Sequence, residues 1–129
     1  MAQDNVDVIE SAYAAFRKGD IESVLEHFAD SAAIVIPESL PWGGSYEGPE
    51  GMRTFIARAL DHYTDFKSVP EKVLGADDNH VIVVVRNSGR LKSGTRVDQI
   101  GVWIYQLREG EITRAETFVD TAAVLDAIG

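Results

Sequence analysis

The stretch "TRVDQIGVWIYQL", Thr95–Leu107, carries the pattern on which the fold turns. Side chains alternate faces along a strand, so Val97, Gln99, Gly101, Trp103, Tyr105 and Leu107 share one side, and Asp98, Ile100, Val102, Ile104 and Gln106 the other. Both sides are apolar at mid-strand. An antiparallel sheet ordinarily leaves one face wet, so a strand of this kind needs two covers.

The rest of the chain supplies candidates for the covers. From Asp4 to Lys18, Val6, Ile9, Tyr13 and Phe16 recur at helical spacing, and Gly19 ends the turn as a left-handed cap. Asp20 caps a second helix with the stripe Ile21, Val24, Leu25 and Phe28. "AAIVIP", closed by Pro37, reads as a first strand. Pro49 starts a third helix, striped by Met52, Phe55, Ile56, Ala59, Leu60 and Tyr63 and running to about Phe66. The period then drops to two, with strands over Ser68–Leu74, Val81–Leu91, Thr95–Leu107 and Ile112–Val119, and "DTAAVLDAIG" closes the chain as a capped helix. Helices first and a meander afterwards predict a single α+β domain over 1–129, with an antiparallel sheet and its helices gathered on one face.

Three helices cover only one face. A second copy of the chain is the economical cover for the flat, β-branched side formed by Ile100, Val102 and Ile104, so a homodimer is expected through it. The opposite side, uneven in size and polarity, suits a concave surface with a pocket.

Bulk composition narrows the function. A chain of 129 residues, 45% hydrophobic and 26% charged, has the makings of one folded core. A formal net charge of −9, from 21 acidic against 12 basic residues, would repel a polyphosphate, so no nucleic acid is expected as partner. The absence of cysteine excludes disulfides, thiolate metal sites and thiol nucleophiles, and fits a reducing cytoplasm. The acidic N-terminal segment is unlike a secretory signal, and no apolar run approaches the roughly 20 residues of a membrane span, so no membrane association is expected. His27, His62 and His80 are scattered without ligand spacing, so no metal is expected. "GGSYE" fails the serine-hydrolase elbow at Glu47, and the glycines around it lack dinucleotide spacing; no cofactor is expected.

The segments "AYAAFRKGDIESVLEHFADSAAIVIP", "YEGPEGMRTFI" and "GVWIYQLREGEITRAETFVDTAAVL" together resemble the SnoaL-like branch of the nuclear transport factor two-like superfamily, which also holds ketosteroid isomerase and limonene epoxide hydrolase. The resemblance implies a cone: a curved sheet wrapped around three N-terminal helices, often dimeric, with an apolar cavity. It implies an isomerase, cyclase, dehydratase or hydrolase acting on a polyketide-, steroid- or terpenoid-like molecule. The groups that do this chemistry in relatives are replaced. Where ketosteroid isomerases carry the base before the strand-ending proline stands Ile36, and their oxyanion-binding tyrosine and aspartic acid correspond to Ala12 and Trp103. The cyclase aspartate corresponds to Thr117, a hydroxyl of ordinary pKa that cannot act as base at neutral pH. These replacements equally support a non-catalytic ligand-binding or accessory dimer. A purely structural dimer filled by its own aromatics is a third reading.

The remaining candidates are Glu38, beside the stiff loop after the first strand, as an acid whose burial would tune it, and Arg86, expected to point into the cone as an anion or carbonyl ligand. Arg86 snorkelling to water or pairing with an acid is the competing reading. Trp42, Tyr46, Gln99, Trp103 and Thr117 are the expected ligand-binding residues. "PESLPWGGSYEGPEG", Pro37–Gly51, contains three of the four prolines, and its Trp42 is open to three roles: lid, plug or dimer contact. Asp120 reads as the cap of the last helix.

Overall fold

A computed structural model describes residues 2–128. The order is α1 (Ala2–Arg17), α2 (Ile21–Leu25), β1 (Phe28–Ile36), β2 (Gly44–Glu47), α3 (Gly48–Leu60), β3 (Tyr63–Gly75), β4 (His80–Leu91), β5 (Arg96–Arg108), β6 (Glu111–Phe118) and α4 (Thr121–Ile128). The strands form one open sheet in the order β2-β1-β6-β5-β4-β3. The meander from β3 to β6 is antiparallel, as the short turns require, while β1 joins β6 in parallel.

Burial follows the alternation read from Thr95–Leu107. Val97, Gly101, Trp103, Tyr105 and Leu107 are buried, and Asp98, Ile100, Ile104 and Gln106 are exposed. On β4 the buried set is Val81, Val83, Val85, Gly89 and Leu91. The helical stripes meet this inner face with Ile9, Tyr13, Val24, Leu25, Met52, Phe55 and Ile56. The Asp120 cap is as expected, its Oδ1 accepting the Ala123 N–H at 3.0 Å.

Two boundaries differ from the sequence reading. Phe28 begins β1 rather than closing α2, because α2 ends at Leu25 and the Ile112 N–H bonds to the His27 carbonyl, drawing the chain into the sheet. The third helix stops at Leu60, and Tyr63 and Phe66 belong to β3. Aromatic residues serve either element, and here Tyr63 pairs with Leu91 and Phe66 with Gly89. Pro70 is tolerated because β3 is an edge strand, and the register slips beside it.

α3 enters through a tight contact. Gly48 has φ of 69°, and a side chain there would collide with the Asp30 carbonyl on β1. Gly48→Ala should therefore lose about 2 kcal/mol or more of stability from positive-φ strain and displaced backbone. Urea unfolding followed by circular dichroism measures it, and a midpoint equal to wild type would show that the junction relaxes freely.

Candidate functional site

The helices do not fill the hollow they cover. Between the inner sheet face and α1, α3 and α4 lies a cavity that encloses, with its opening, about 1030 Å³ of space not occupied by protein. Its wall is mainly hydrocarbon and aromatic ring: Phe16, Leu40, Trp42, Met52, Phe55, Tyr63, Phe66 and Trp103 contribute, from both helices and strands. Trp103 stacks on Tyr105, with centroids 5.6 Å apart and planes 11° from parallel, and meets Phe55 edge-on at 6.0 Å. The stack leaves a flat, rigid panel in the wall.

The positions carried over from catalytic relatives do converge on this space. Ala12, Ile36, Trp103 and Thr117 all line it, and none can take or give a proton near neutral pH. Thr117 is buried, its hydroxyl donating to the Val102 carbonyl at 3.0 Å. Gln99 also lines the cavity, and its Oε1 accepts the Asp120 N–H at 3.1 Å.

Trp42 is wall. It is buried, its ring 5.0 Å from that of His62 and 6.0 Å from that of Tyr63. What holds it is Tyr46, which is absent from the lining. The Tyr46 hydroxyl donates to the Trp42 carbonyl at 2.7 Å and accepts from Arg58 Nη1 at 2.6 Å, while Arg58 Nη2 donates to the Pro41 carbonyl at 2.8 Å. Tyr46 and Arg58 thus clasp the Pro41–Trp42 backbone onto α3, so Tyr46 positions a wall residue instead of touching the space itself.

The two expected catalytic side chains lie elsewhere. Glu38 is exposed on the turn after Pro37 and is absent from the lining, because that turn closes on itself through the Leu40 N–H to Pro37 carbonyl bond. Arg86 stands on the outer face, where its Nη1 meets Asp98 Oδ1 at 2.8 Å and its Nε meets Glu71 Oε2 at 3.3 Å. The register settles its direction: Arg86 pairs with Ile100, an outward residue, and the next residue, Asn87, takes the inward place. The apolar run "VIVVV" before it carries no face signal.

Three polar groups escaped the sequence reading as site residues. Ser68 and Asn87 line the cavity, hidden in segments that read as ordinary strand. Tyr13 had looked like one more member of a helical stripe. Its hydroxyl lies 2.8 Å from that of Tyr105, both rings buried and both in the cavity wall. Burial pushes both phenols above the ordinary 10.0, so each keeps its proton at neutral pH. Two hydroxyls carry two protons, and only one can lie between the oxygens. The other has no protein acceptor among the described residues.

Among the described residues, the lining contains no Asp, Glu, His, Lys or Arg. A general base is therefore missing from the wall itself, and so is a counter-charge for a buried anion.

The SnoaL-like domain profile matches residues 9–115, and the chain belongs to that family. TerC, solved with polyporic acid, is 26% identical with a TM-score of 0.89, over 97% of this chain and 98% of TerC. Bal32a, from a soil-derived mobile gene cassette, is 25% identical with a TM-score of 0.90, over 99% and 98%. A proposed SnoaL-like polyketide cyclase from Jannaschia sp. CCS1 shares 21% identity and the fold, with a TM-score of 0.85 over 98% and 92%. No match was found among the curated proteins.

The tyrosine pair makes a sharp prediction. Tyr105→Phe or Tyr13→Phe alone strands one buried hydroxyl and should cost about 1–3 kcal/mol, whereas the double variant should cost less than the sum. Additive losses in urea titrations would show that the hydroxyls are uncoupled. Because both phenols have raised values in the folded chain, their contribution is complete below pH 10.0 and is lost as pH rises through the folded-state values. Melting temperature should thus fall more steeply above about pH 10 in wild type than in the double variant.

Proposed function

We propose that the cone binds a flat, largely apolar small molecule of polyketide, steroid or terpenoid type. The carrying observation is a cavity wall of aromatic panels and hydrocarbon with a few neutral hydrogen-bonding groups and no charge. Trp42, Gln99, Trp103 and Thr117 are the ligand-contacting residues among those expected from sequence, joined by Tyr13 and Tyr105. The TerC structure, co-crystallised with polyporic acid, supports the reading.

Two modes of action follow from the same wall. Turnover of the isomerase, cyclase, dehydratase or hydrolase kind would run on hydrogen-bond donation from protonated tyrosine to a developing oxyanion, together with the shape imposed on the substrate. Non-catalytic binding is the second mode, and the missing base favours it for any reaction that begins with proton abstraction. Deuterium exchange at the α-carbon of tetralone, a bicyclic ketone, separates them. Binding without turnover expects exchange at the buffer rate. Acceleration by the protein that disappears in Tyr105→Phe would establish catalysis by the donor pair.

The outer face supports a homodimer. Val69, Ile100, Ile104 and Phe118 are exposed on a single chain, with Val84 and Val102 half-buried between them. Val84, Val102 and Phe118 stand in register across three strands, a flat apolar row suited to a second copy of itself. Native mass spectrometry should find twice the chain mass, and Ile104→Glu should shift it to the monomer. A monomeric wild type at micromolar concentration would remove this partner. Binding itself is read by tryptophan fluorescence: a polycyclic ligand should quench Trp42 and Trp103 and show saturation, which a cavity plugged by its own side chains would not.

A further inference from the structure

Three inward side chains stand side by side across the sheet. Ser68 on β3 faces Asn87 on β4, Asn87 faces Gln99 on β5, and all three line the cavity. A backbone N–H fixes how the Gln99 amide points, and Ser68 sits on the oxygen side of the Asn87 amide. The Asp120 N–H, which can only donate, meets Gln99 Oε1 at 3.1 Å, so the Gln99 Nε2 group is turned the other way. Ser68 Oγ donates to Asn87 Oδ1 at 2.7 Å. The Asn87 Nδ2 group therefore points away from β3 and lies over residue 101, where a Cβ would stand 3.1 Å from it. Glycine at 101 leaves the room that this amide occupies.

Neither amide nitrogen has a protein acceptor among the described residues. Among the described residues no fully buried side-chain nitrogen or oxygen lacks a partner, so these two nitrogens are not fully buried, and both residues line the cavity. Two neighbouring strands thus present two amide donors, oriented by bonds on their oxygen side, in a wall that is otherwise mostly hydrocarbon. A row of this kind is costly to leave facing an apolar ligand and favourable when an oxygen meets it.

We propose that Asn87 and Gln99 are a specificity-determining donor pair for a neutral carbonyl oxygen on the ring system that the cone holds. The inference rests on the reading that the cavity binds a flat apolar molecule, and it adds which functional group that molecule must carry. A carboxylate is the wrong partner. Among the described residues no basic side chain lines the cavity, the chain's formal net charge is −9, and a buried anion beside two neutral amides keeps most of its desolvation cost.

Fluorenone, fluorene and fluorene carboxylate share one ring frame and differ in the oxygen group, so their dissociation constants from tryptophan quenching test the pair. Gln99→Met and Asn87→Leu each keep the side-chain volume and delete the donor without adding charge. Each should lower the affinity for fluorenone relative to fluorene about three- to tenfold. If the fluorenone-to-fluorene ratio is the same in wild type and both variants, the donor pair is wrong and the binding cavity stands. If fluorene carboxylate binds tightest, the neutral-carbonyl assignment is wrong. If none of the three binds wild type, this inference and the proposed function fall together. Circular dichroism monitors folding, and should one variant not fold, the other decides.

Discussion

The structure depends on one constraint: the central strands are apolar on both sides, and within one chain the helices cover only the inner side. On the inner side, Val81, Val83 and Val85 of β4 and Trp103, Tyr105 and Leu107 of β5 are taken out of water by α1 and α3. Burial on this scale is what outweighs the ordering entropy of a small domain. Helices are rods and the sheet is curved and open, so the rods meet it at the margins and leave a gap where aromatic residues line the wall. The cavity is a consequence of covering a curved sheet with few helices, and the inner face of the meander is committed to whatever chemistry fills that gap.

What fills the gap is unusual for a site expected to do acid-base chemistry. Ala12, Ile36, Trp103 and Thr117 occupy the places at which the resemblance puts catalytic groups, and each contributes bulk or a satisfied hydroxyl in place of a titrating one. The polar character that remains is all of one kind. Tyr13 and Tyr105 hold their protons because burial disfavours the phenolate, and the Asn87 and Gln99 amides cannot ionise at all. Such a wall stabilises negative charge that develops on a ligand oxygen more readily than it creates that charge by removing a proton. The family places the chain among proteins of this architecture; the lining decides which of their chemistries it can still support.

Charge is kept out of the cavity by the same alternation that builds it. Arg86, Asp98 and Glu71 form an ion-pair row on the outer face, one residue out of step with Asn87 and Gln99 on the inner one. A single-residue slip of β4 against β5 would exchange Arg86 and Asn87, putting the arginine inside and that amide outside. The apolar residues opposite each other on the inner face, Val83 with Trp103 and Val81 with Tyr105, hold the register that keeps them apart.

The sequence by itself determined the periodicities, and through them the α+β order, the two-sided β5 strand, the capped terminal helix and the kinship of the chain. Those features depend on neighbours a few residues away. It left the ends of α2 and α3 ambiguous, since Phe28, Tyr63 and Phe66 suit a helical stripe and a strand equally well. Only the tertiary structure decided which face Arg86 takes, that Glu38 stays on an exposed turn, that Tyr46 clasps Trp42, and that Tyr13 meets Tyr105 across 92 positions of chain. Each of these depends on strand register and on helix placement over the sheet, which are set by packing among residues far apart in sequence. A run such as "VIVVV" carries no mark of which side will be in.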